Sequence, residues 1–179
     1  VREVAIFGIA VKLTEYLRQL VFTLTKLFSP VASRYDPETD QRSLQRILYT
    51  GSRLNLLFSL PLAVLLFYWG EDVIHLWVGD DFRGAVPILQ VLLLGHVVGF
   101  MQGIGGELLL GVGRHRLFSL LSLGAAVFNI ILSIILVQRI GIIGIAWGTT
   151  IPLIILSVGY VPWASLRLVN GAWGSFIVK

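Results

Sequence analysis

Long apolar stretches separated by short polar ones divide the chain. Each stretch is close to the roughly 20 residues that a helix needs to cross the hydrocarbon core of a bilayer. None alternates with period two, and an open sheet edge would leave backbone groups unpaired in lipid, so we expect helices rather than strands. The pattern predicts an all-α, polytopic transmembrane bundle with about five spanning helices, over residues 4–28, 44–69, 85–112, 117–137 and 142–166, and the start of a further segment at 172–179.

Composition supports a bilayer as the main solvent. Apolar residues make up 56% of the 179 residues and charged ones only 13%, whereas soluble domains are about a quarter charged. The mean hydropathy is +0.84. Because the chain begins without Met and ends within a new apolar stretch, we interpret it as a fragment, and no removable signal peptide is recognisable at its start.

Several function classes lack any signal in this sequence. It holds no phosphate-binding Gly-rich loop, no His-Glu-x-x-His and no Gly-x-Ser-x-Gly, and it has no cysteine. Its histidines, His75, His96 and His115, are too far apart for a metal site. The basic residues form no run with interleaved aromatics, which argues against nucleic acid. We therefore expect neither an enzyme nor a resident metal or cofactor.

Lysine and arginine are shared unevenly between the two ends of the predicted bundle. One end holds the connection between the first two helices, the turn between the third and fourth, and the tail, with Arg34, Arg42, Arg46, Arg53, Arg114, Arg116, Arg167 and Lys179. The other end holds Arg2, Arg83 and Arg139 beside Glu71, Asp72, Asp80 and Asp81. By the positive-inside rule, that connection, that turn and the C-terminus are expected to be cytoplasmic.

The first predicted helix carries a polar stripe. At about 100° per residue the stripe covers an arc of about 100°, and it consists of Lys12, Glu15, Tyr16, Gln19, Thr23 and Lys26, with Arg18 beside it. A charged side chain near the bilayer centre costs at least about 2.5 to 3.5 kcal/mol, so we expect the stripe to face a hydrated cavity or partner helices. Glu15 lies three residues from both Lys12 and Arg18, and local pairing can offset part of the cost.

Two interpretations of the stripe stay open. In one, the helix lies on the membrane surface, or Glu15 only neutralises its neighbours within the bundle. In the other, the stripe is the cationic wall of a cavity for an anionic solute or headgroup, because Lys and Arg offer charge and donors to phosphate. The substrate-cavity candidates are Lys12, Glu15, Arg18, Gln19 and Lys26, with Asn129 from the fourth helix.

The third predicted helix combines glycines with two titratable residues. Its glycine stripe consists of Gly95, Gly99, Gly103 and Gly106. Such a stripe predicts close helix packing, and the alternative is a helix broken at membrane depth, as in transporters. His96 and Glu107 lie beside the stripe and are candidates for ion coupling, with a structural role as the other interpretation.

The last two predicted helices carry milder signals. Small and polar residues share one arc of the fourth helix, for interhelical hydrogen bonds or for a mildly polar pore wall: Ser119, Ser122, Ala126, Asn129 and Ser133. Pro61 in the second helix and Pro152 and Pro162 in the fifth interrupt backbone hydrogen bonds, so we expect kinks or hinges there.

Five stretches of the chain, taken in order, resemble one family. They are FSPVAS at 28–33; the amphipathic stretch 44–53 leading to SLPL at 59–62; IHLWVGDDFRGA at 74–85; LGVGRHR at 110–116; and GIIGIAWGT at 141–149. Their order and spacing resemble the polytopic exporters of the multidrug/oligosaccharidyl-lipid/polysaccharide superfamily. Within it, they are most similar to the Wzx-like flippases for lipid-linked O-antigen and polysaccharide units.

This resemblance implies a place and a function for the chain. The chain would be part of the second half of a transporter of twelve to fourteen spans, with helices similar to the eighth to twelfth. The protein would move a polyprenyl-pyrophosphate-linked glycan across the inner, cytoplasmic membrane by alternating access, and Lys12, Gln19 and Lys26, with Arg18, could meet the headgroup. Membrane lipids and other polysaccharide-assembly proteins are the further partners implied.

Two other functions stay open at this point. One is an ion-coupled drug or metabolite exporter of the same fold, for which a stripe dominated by acids is expected. The other, from a different class, is a membrane scaffold or enzyme subunit that transports nothing, in which the stripe of the first helix is only a helix contact.

Overall fold

A computed structural model describes residues 2–36, 39–111 and 116–168 of the chain. These residues form an all-α bundle, as predicted. The helices are α1 (Arg2–Lys26), α2 (Phe28–Ala32), α3 (Gln41–Tyr68), α4 (Gly70–Val78), α5 (Ala85–Gly111), α6 (Arg116–Ile140), α7 (Ile143–Ile155) and α8 (Val161–Leu168), with a 3₁₀ turn at Asp80–Phe82 and a π-helical turn at Leu156–Tyr160. The expected segment 172–179 lies outside the described residues.

The helix α5 is the centre of the bundle. It packs against α1 and α3 on one side and against α7 and α8 on the other. Its glycines allow this approach: a Cβ at Gly95 would lie 3.1 Å from the Thr150 side chain of α7, and one at Gly103 would lie 3.2 Å from Cγ2 of Thr25 in α1. The close-packing interpretation of the glycine stripe is therefore confirmed, and α5 is continuous where the alternative predicted a break.

The pair α6 and α7 forms the outer flank of the bundle. A Cβ at Gly144 would lie 2.8 Å from the backbone nitrogen of Val137, and one at Gly148 would lie 2.7 Å from Cα of Ser133. The two backbones are thus in direct contact, which is the packing that a small-xxx-small pair provides in lipid. Gly141, at φ 69°, makes the tight turn between these helices, a conformation that favours glycine.

Four described helical stretches are long and apolar enough to cross a membrane: Gln41–Tyr68, Ala85–Gly111, Phe118–Ile140 and Ile143–Ser165. The sequence predicts about five. The helix that differs is α1, whose 25 residues are long enough but whose middle carries Lys12, Glu15 and Arg18. The protein is a multi-pass membrane protein with these four candidate spans, and the crossing of α1 stays a prediction.

The packing of α1 favours that prediction. The Ile6 side chain lies 3.6 Å from the position that a Cβ would take at Gly84, just before α5, and Thr25 makes the equivalent contact with Gly103. Both helices advance by nineteen residues between these contacts (6 to 25 and 84 to 103), which is about 28 Å and close to the hydrocarbon thickness. Because α1 follows α5 through the same depth, α1 cannot lie flat on the membrane surface while α5 spans it.

The prolines differ in their effect on the continuity of the helices that contain them. Helix α3 continues through Pro61, so no break is present there. Pro152 lies in α7, and the π-helical turn begins four residues later, before α8 and Pro162. Proline removes a backbone donor, and the wider π turn is one way in which a helix absorbs such an interruption. The expected irregularity of the fifth predicted helix is therefore present, as a π turn.

Candidate functional site

One face of α1 is buried and the opposite face is exposed. The buried residues are spaced by three or four: Ala10, Thr14, Leu17, Val21 and Thr25. This face packs against α5 and α3 because it presents small and apolar side chains at helical spacing. Lys12, Gln19 and Lys26 therefore lie on the exposed side, pointing away from the described helices. The polar stripe is exposed and can face water or other protein.

Glu15 of the stripe forms an ion pair with Arg18, which lies beside the stripe. The Nη2 atom of Arg18 donates to Oε1 of Glu15 at 2.6 Å, and Nε donates to Oε2 at 2.9 Å, a bidentate arrangement. The Gln19 amide adds a longer hydrogen bond of 3.4 Å to the same carboxylate. Of the two partners expected for Glu15, the structure thus shows Arg18, while no carboxylate of the described residues pairs with Lys12.

The two lysines of the stripe have no carboxylate partner among the described residues. Lys12 is exposed, and Nζ of Lys26 lies 4.8 Å from the centre of the Phe22 ring, a cation–π distance. Since Glu15 and Arg18 neutralise each other, the net charge of the stripe comes from Lys12 and Lys26.

A shallow groove of about 370 Å³ opens on this face of α1. Tyr16, Gln19, Leu20 and Thr23 line it, so it presents an amide and hydroxyl groups beside the charges. The Tyr16 ring lies 6.4 Å from that of Trp77 in α4, which holds the short helix beside this groove.

The structure separates the two candidate coupling residues. His96 lies at about the depth of Arg18, given the contacts of Ile6 with Gly84 and of Thr25 with Gly103, and its Nδ1 is 2.9 Å from the Leu92 carbonyl oxygen. Glu107 is buried eleven residues further along α5, about 16 Å away. His96 therefore lies near the charged residues of α1, whereas Glu107 lies in another region of α5.

Asn129 does not join the other candidates. It lies on α6, which packs mainly against α7 on the far side of α5 from α1. Its Oδ1 accepts a hydrogen bond of 3.1 Å from the Ser133 hydroxyl, one turn along the same helix. Among the described residues, the polar arc of the fourth predicted helix therefore contributes nothing to the groove on α1.

Sequence reasoning missed a buried polar junction between three helices. The Asn55 amide of α3 donates to the Phe100 carbonyl oxygen of α5 at 2.6 Å, and the Thr25 hydroxyl of α1 lies 3.1 Å from Oδ1 of Asn55. An asparagine within an apolar span was the signal available, because burial in lipid requires a partner for its amide. Gly144 and Gly148 were a second missed signal, at the spacing typical of close packing.

Charged residues also meet at the end of the bundle where α1 begins. Arg83 donates from Nε to the Asp80 carboxylate at 2.8 Å and lies 3.3 Å from Glu71, and Nδ1 of His75 is 2.8 Å from Asp80. The Arg83 hydrogen bond holds the pKa of Asp80 below its ordinary value. Arg2 reaches the Asp81 carbonyl oxygen at 3.2 Å. This network places the start of α1 beside the loop that precedes α5.

No group of three His, Asp or Glu side chains in the described part of the chain is arranged to hold a metal ion. The α1 face presents charged side chains, an amide and hydroxyl groups.

Comparison with known proteins places the chain in a family. The family model described as MatE matches residues 1–135. An uncharacterized membrane protein of Methanocaldococcus jannaschii is 27% identical over 146 residues, which is 79% of this chain and 28% of that protein. The chain thus spans little more than a quarter of the length of this relative. No solved structure matches this chain.

Proposed function

Because this chain belongs to the MatE family, we propose that the whole protein is a membrane transporter and that α1 forms part of the wall of its transport passage. The cargo that we propose is a lipid-linked oligosaccharide or polysaccharide unit, moved across the cytoplasmic membrane by alternating access. The polyprenyl pyrophosphate of such a cargo is anionic, and its recognition needs cations and hydrogen-bond donors at membrane depth.

The exposed stripe on α1 is the observation that carries this proposal. Its Lys12 and Lys26 have no carboxylate partner among the described residues, while Arg18 is already paired with Glu15. Leaving Lys12, which is near the middle of α1, in lipid would cost at least about 2.5 kcal/mol, so water, a cargo or other protein must meet it, whereas Lys26 lies in the last turn and can reach the membrane interface. The Gln19 amide and the Thr23 hydroxyl in the adjoining groove supply further polar contacts.

A drug or metabolite exporter of the same family is the alternative cargo class. An organic cation would be held by carboxylates, but the one carboxylate of the stripe, Glu15, is engaged by two hydrogen bonds from Arg18. The excess of cations favours an anionic cargo. A scaffold that transports nothing would use the stripe only as a helix contact.

Transport by the full-length protein in proteoliposomes tests these alternatives. The substrate is a fluorescent polyprenyl-pyrophosphate saccharide, and its transfer between leaflets is read from its accessibility to a quencher. We expect Lys12→Gln with Lys26→Gln to slow transfer, and Lys12→Arg with Lys26→Arg to retain it, because the arginines keep both charges. Arg42→Gln, an exposed cation at the start of α3, is the matched control.

Two results would contradict the proposal. Unchanged transfer by the double glutamine variant, at equal reconstitution, would remove the role of the stripe. Transport of a cationic dye, with none of the pyrophosphate-linked saccharide, would support the alternative cargo class.

A further inference from the structure

A second groove lies between α6 and the end of α7, far from the polar stripe. The volume of this groove is about 390 Å³. Its lining is apolar except for a tyrosine hydroxyl, and includes Gly124, Ala125 and Phe128 of α6 with Ile155, Gly159 and Tyr160 of the opposite wall. The two helices that form it are both candidate spans, so the groove lies at membrane depth.

The groove exists for two reasons. Glycines leave space unfilled on both walls, and a π-helical turn follows α7. A Cβ at Gly124 or at Gly159 would meet no atom within 4 Å. Pro152 and the π-helical turn Leu156–Tyr160 form the facing wall, and a π turn is wider than an α turn. The backbones of α6 and α7 touch at Gly148 and leave this space open nearer to α8.

An aromatic and cationic surface continues the groove along α8. Tyr160, at the edge of the groove, lies 6.0 Å from the Trp163 ring, and the Arg167 guanidinium lies 4.3 Å from that ring. Residues Ile155, Gly159, Trp163 and Arg167 follow at intervals of four, so they share one face. A guanidinium stacked on an aromatic ring keeps its N–H donors at its edge, where phosphate can accept them.

This surface ends where further positive charge is found. Gly148 packs on Ser133 and Tyr160 stacks on Phe118, so α6 runs antiparallel to α7 and α8. The first residue of α6, Arg116, is therefore at the same end of the bundle as Arg167. From the middle of the span to its end the face changes from apolar, through Tyr and Trp, to cationic, which is the order of layers in half a bilayer.

We propose that this surface, from Gly124 and Gly159 to Trp163 and Arg167, binds an anionic membrane phospholipid. One acyl chain occupies the groove, and the phosphate accepts hydrogen bonds from Arg167. Charge complementarity selects this occupant: a zwitterionic lipid fills the groove equally well but gains less from Arg167 and Arg116. The site is separate from the α1 stripe and does not depend on the cargo proposed above.

Native mass spectrometry of the full-length protein in detergent, titrated with phosphatidylglycerol or phosphatidylcholine, tests the headgroup contact. One Lys or Arg near the membrane surface contributes about 1 kcal/mol, so we expect Arg167→Gln to weaken phosphatidylglycerol binding about five-fold and to weaken phosphatidylcholine binding by a smaller factor, because that lipid has a phosphate but no net charge. Arg139→Gln, an exposed cation at the other end of α6, is the matched control and should retain binding. Equal binding by wild type and Arg167→Gln would overturn the proposal.

Filling the groove tests the chain contact. Gly124→Leu places its side chain in open space and should reduce the binding of both lipids, whereas Ala126→Leu, exposed on α6 and outside the groove lining, should not. If another helix of the protein occupies the groove instead, Gly124→Leu will lower the thermal midpoint and leave phosphatidylglycerol binding unchanged. That result would also overturn the proposal.

Discussion

At Asn55 a single amide group connects α3 to two other helices. Its nitrogen donates to the Phe100 carbonyl oxygen at 2.6 Å, and its oxygen lies 3.1 Å from the Thr25 hydroxyl. The residue is only 4% exposed, so these contacts replace water around a buried amide, and the Thr25 hydroxyl shares its proton between Asn55 and the Val21 carbonyl oxygen at 2.9 Å. The junction therefore fixes the last turn of α1 against α3 and α5, at the Lys26 end of the stripe.

We expect Asn55→Leu to destabilise the full-length protein by about 0.6 kcal/mol, the average for interhelical hydrogen bonds in membranes, and by no more than about 1.7 kcal/mol. Asn129→Leu is the matched control, because Asn129 bonds only within its own helix among the contacts seen here. Thermal unfolding in detergent measures both. Equal effects of the two substitutions would contradict the role of the junction.

The contribution of Asp80, in the loop before α5, to the stability of the protein should depend on pH. The Arg83 hydrogen bond lowers the pKa of this carboxyl in the folded protein, so its contribution to stability is complete above the ordinary pKa of about 3.9. That contribution is lost as the pH falls through the lower, folded-state pKa. We expect the difference in thermal midpoint between wild type and Asp80→Asn to be constant near neutrality and to disappear in acid. A difference that grows in acid would contradict this assignment.

At the scale of elements, α6 and α7 depend on glycines where their backbones touch. We expect Gly148→Leu to separate them, because its Cβ would lie 2.7 Å from Cα of Ser133, and backbone cannot move aside as a side chain can. Overpacking of this kind costs about 1 to 3 kcal/mol or more. Ala126→Leu, exposed on α6 and outside the groove lining, is the control. Thermal midpoint and elution profile measure the effect, and a Gly148→Leu variant as stable as the control would contradict it.

The sequence predicts the elements better than it predicts how they end and meet. Apolar length and spacing are sufficient for α3, α5 and α6, because in lipid a spanning segment has almost no alternative to a helix. The bend at Trp69 that separates α4 from α3, and the π turn after Pro152, depend on packing between distant residues. Periodicity within one helix carries no information on those contacts.

The same distinction explains the candidate site. The Glu15–Arg18 pair follows from spacing along one helix and is present, with Gln19 beside it. The position of His96 beside that pair, and the separation of Asn129 and Glu107 from it, follow from which faces of α5 and α6 meet their neighbours. The cargo and the orientation in the membrane stay predictions.

For the molecule as a whole, the central claim is that the stripe of α1 faces a water-filled passage while the bundle stands in lipid. This chain has no cysteine, so single cysteines can be introduced into it, with any others in the full-length protein replaced. Gln19 in the stripe and Ile130 on α6, which is 60% exposed and apolar, are the informative pair of positions.

The most direct measurement is the reaction of these cysteines with a charged, membrane-impermeant thiol reagent in sealed proteoliposomes. The prediction is that Gln19→Cys is modified, because its sulfur meets water, and that Ile130→Cys is not, because its sulfur meets lipid. A Gln19→Cys variant as unreactive as Ile130→Cys, in protein that is folded and correctly inserted, would contradict the claim.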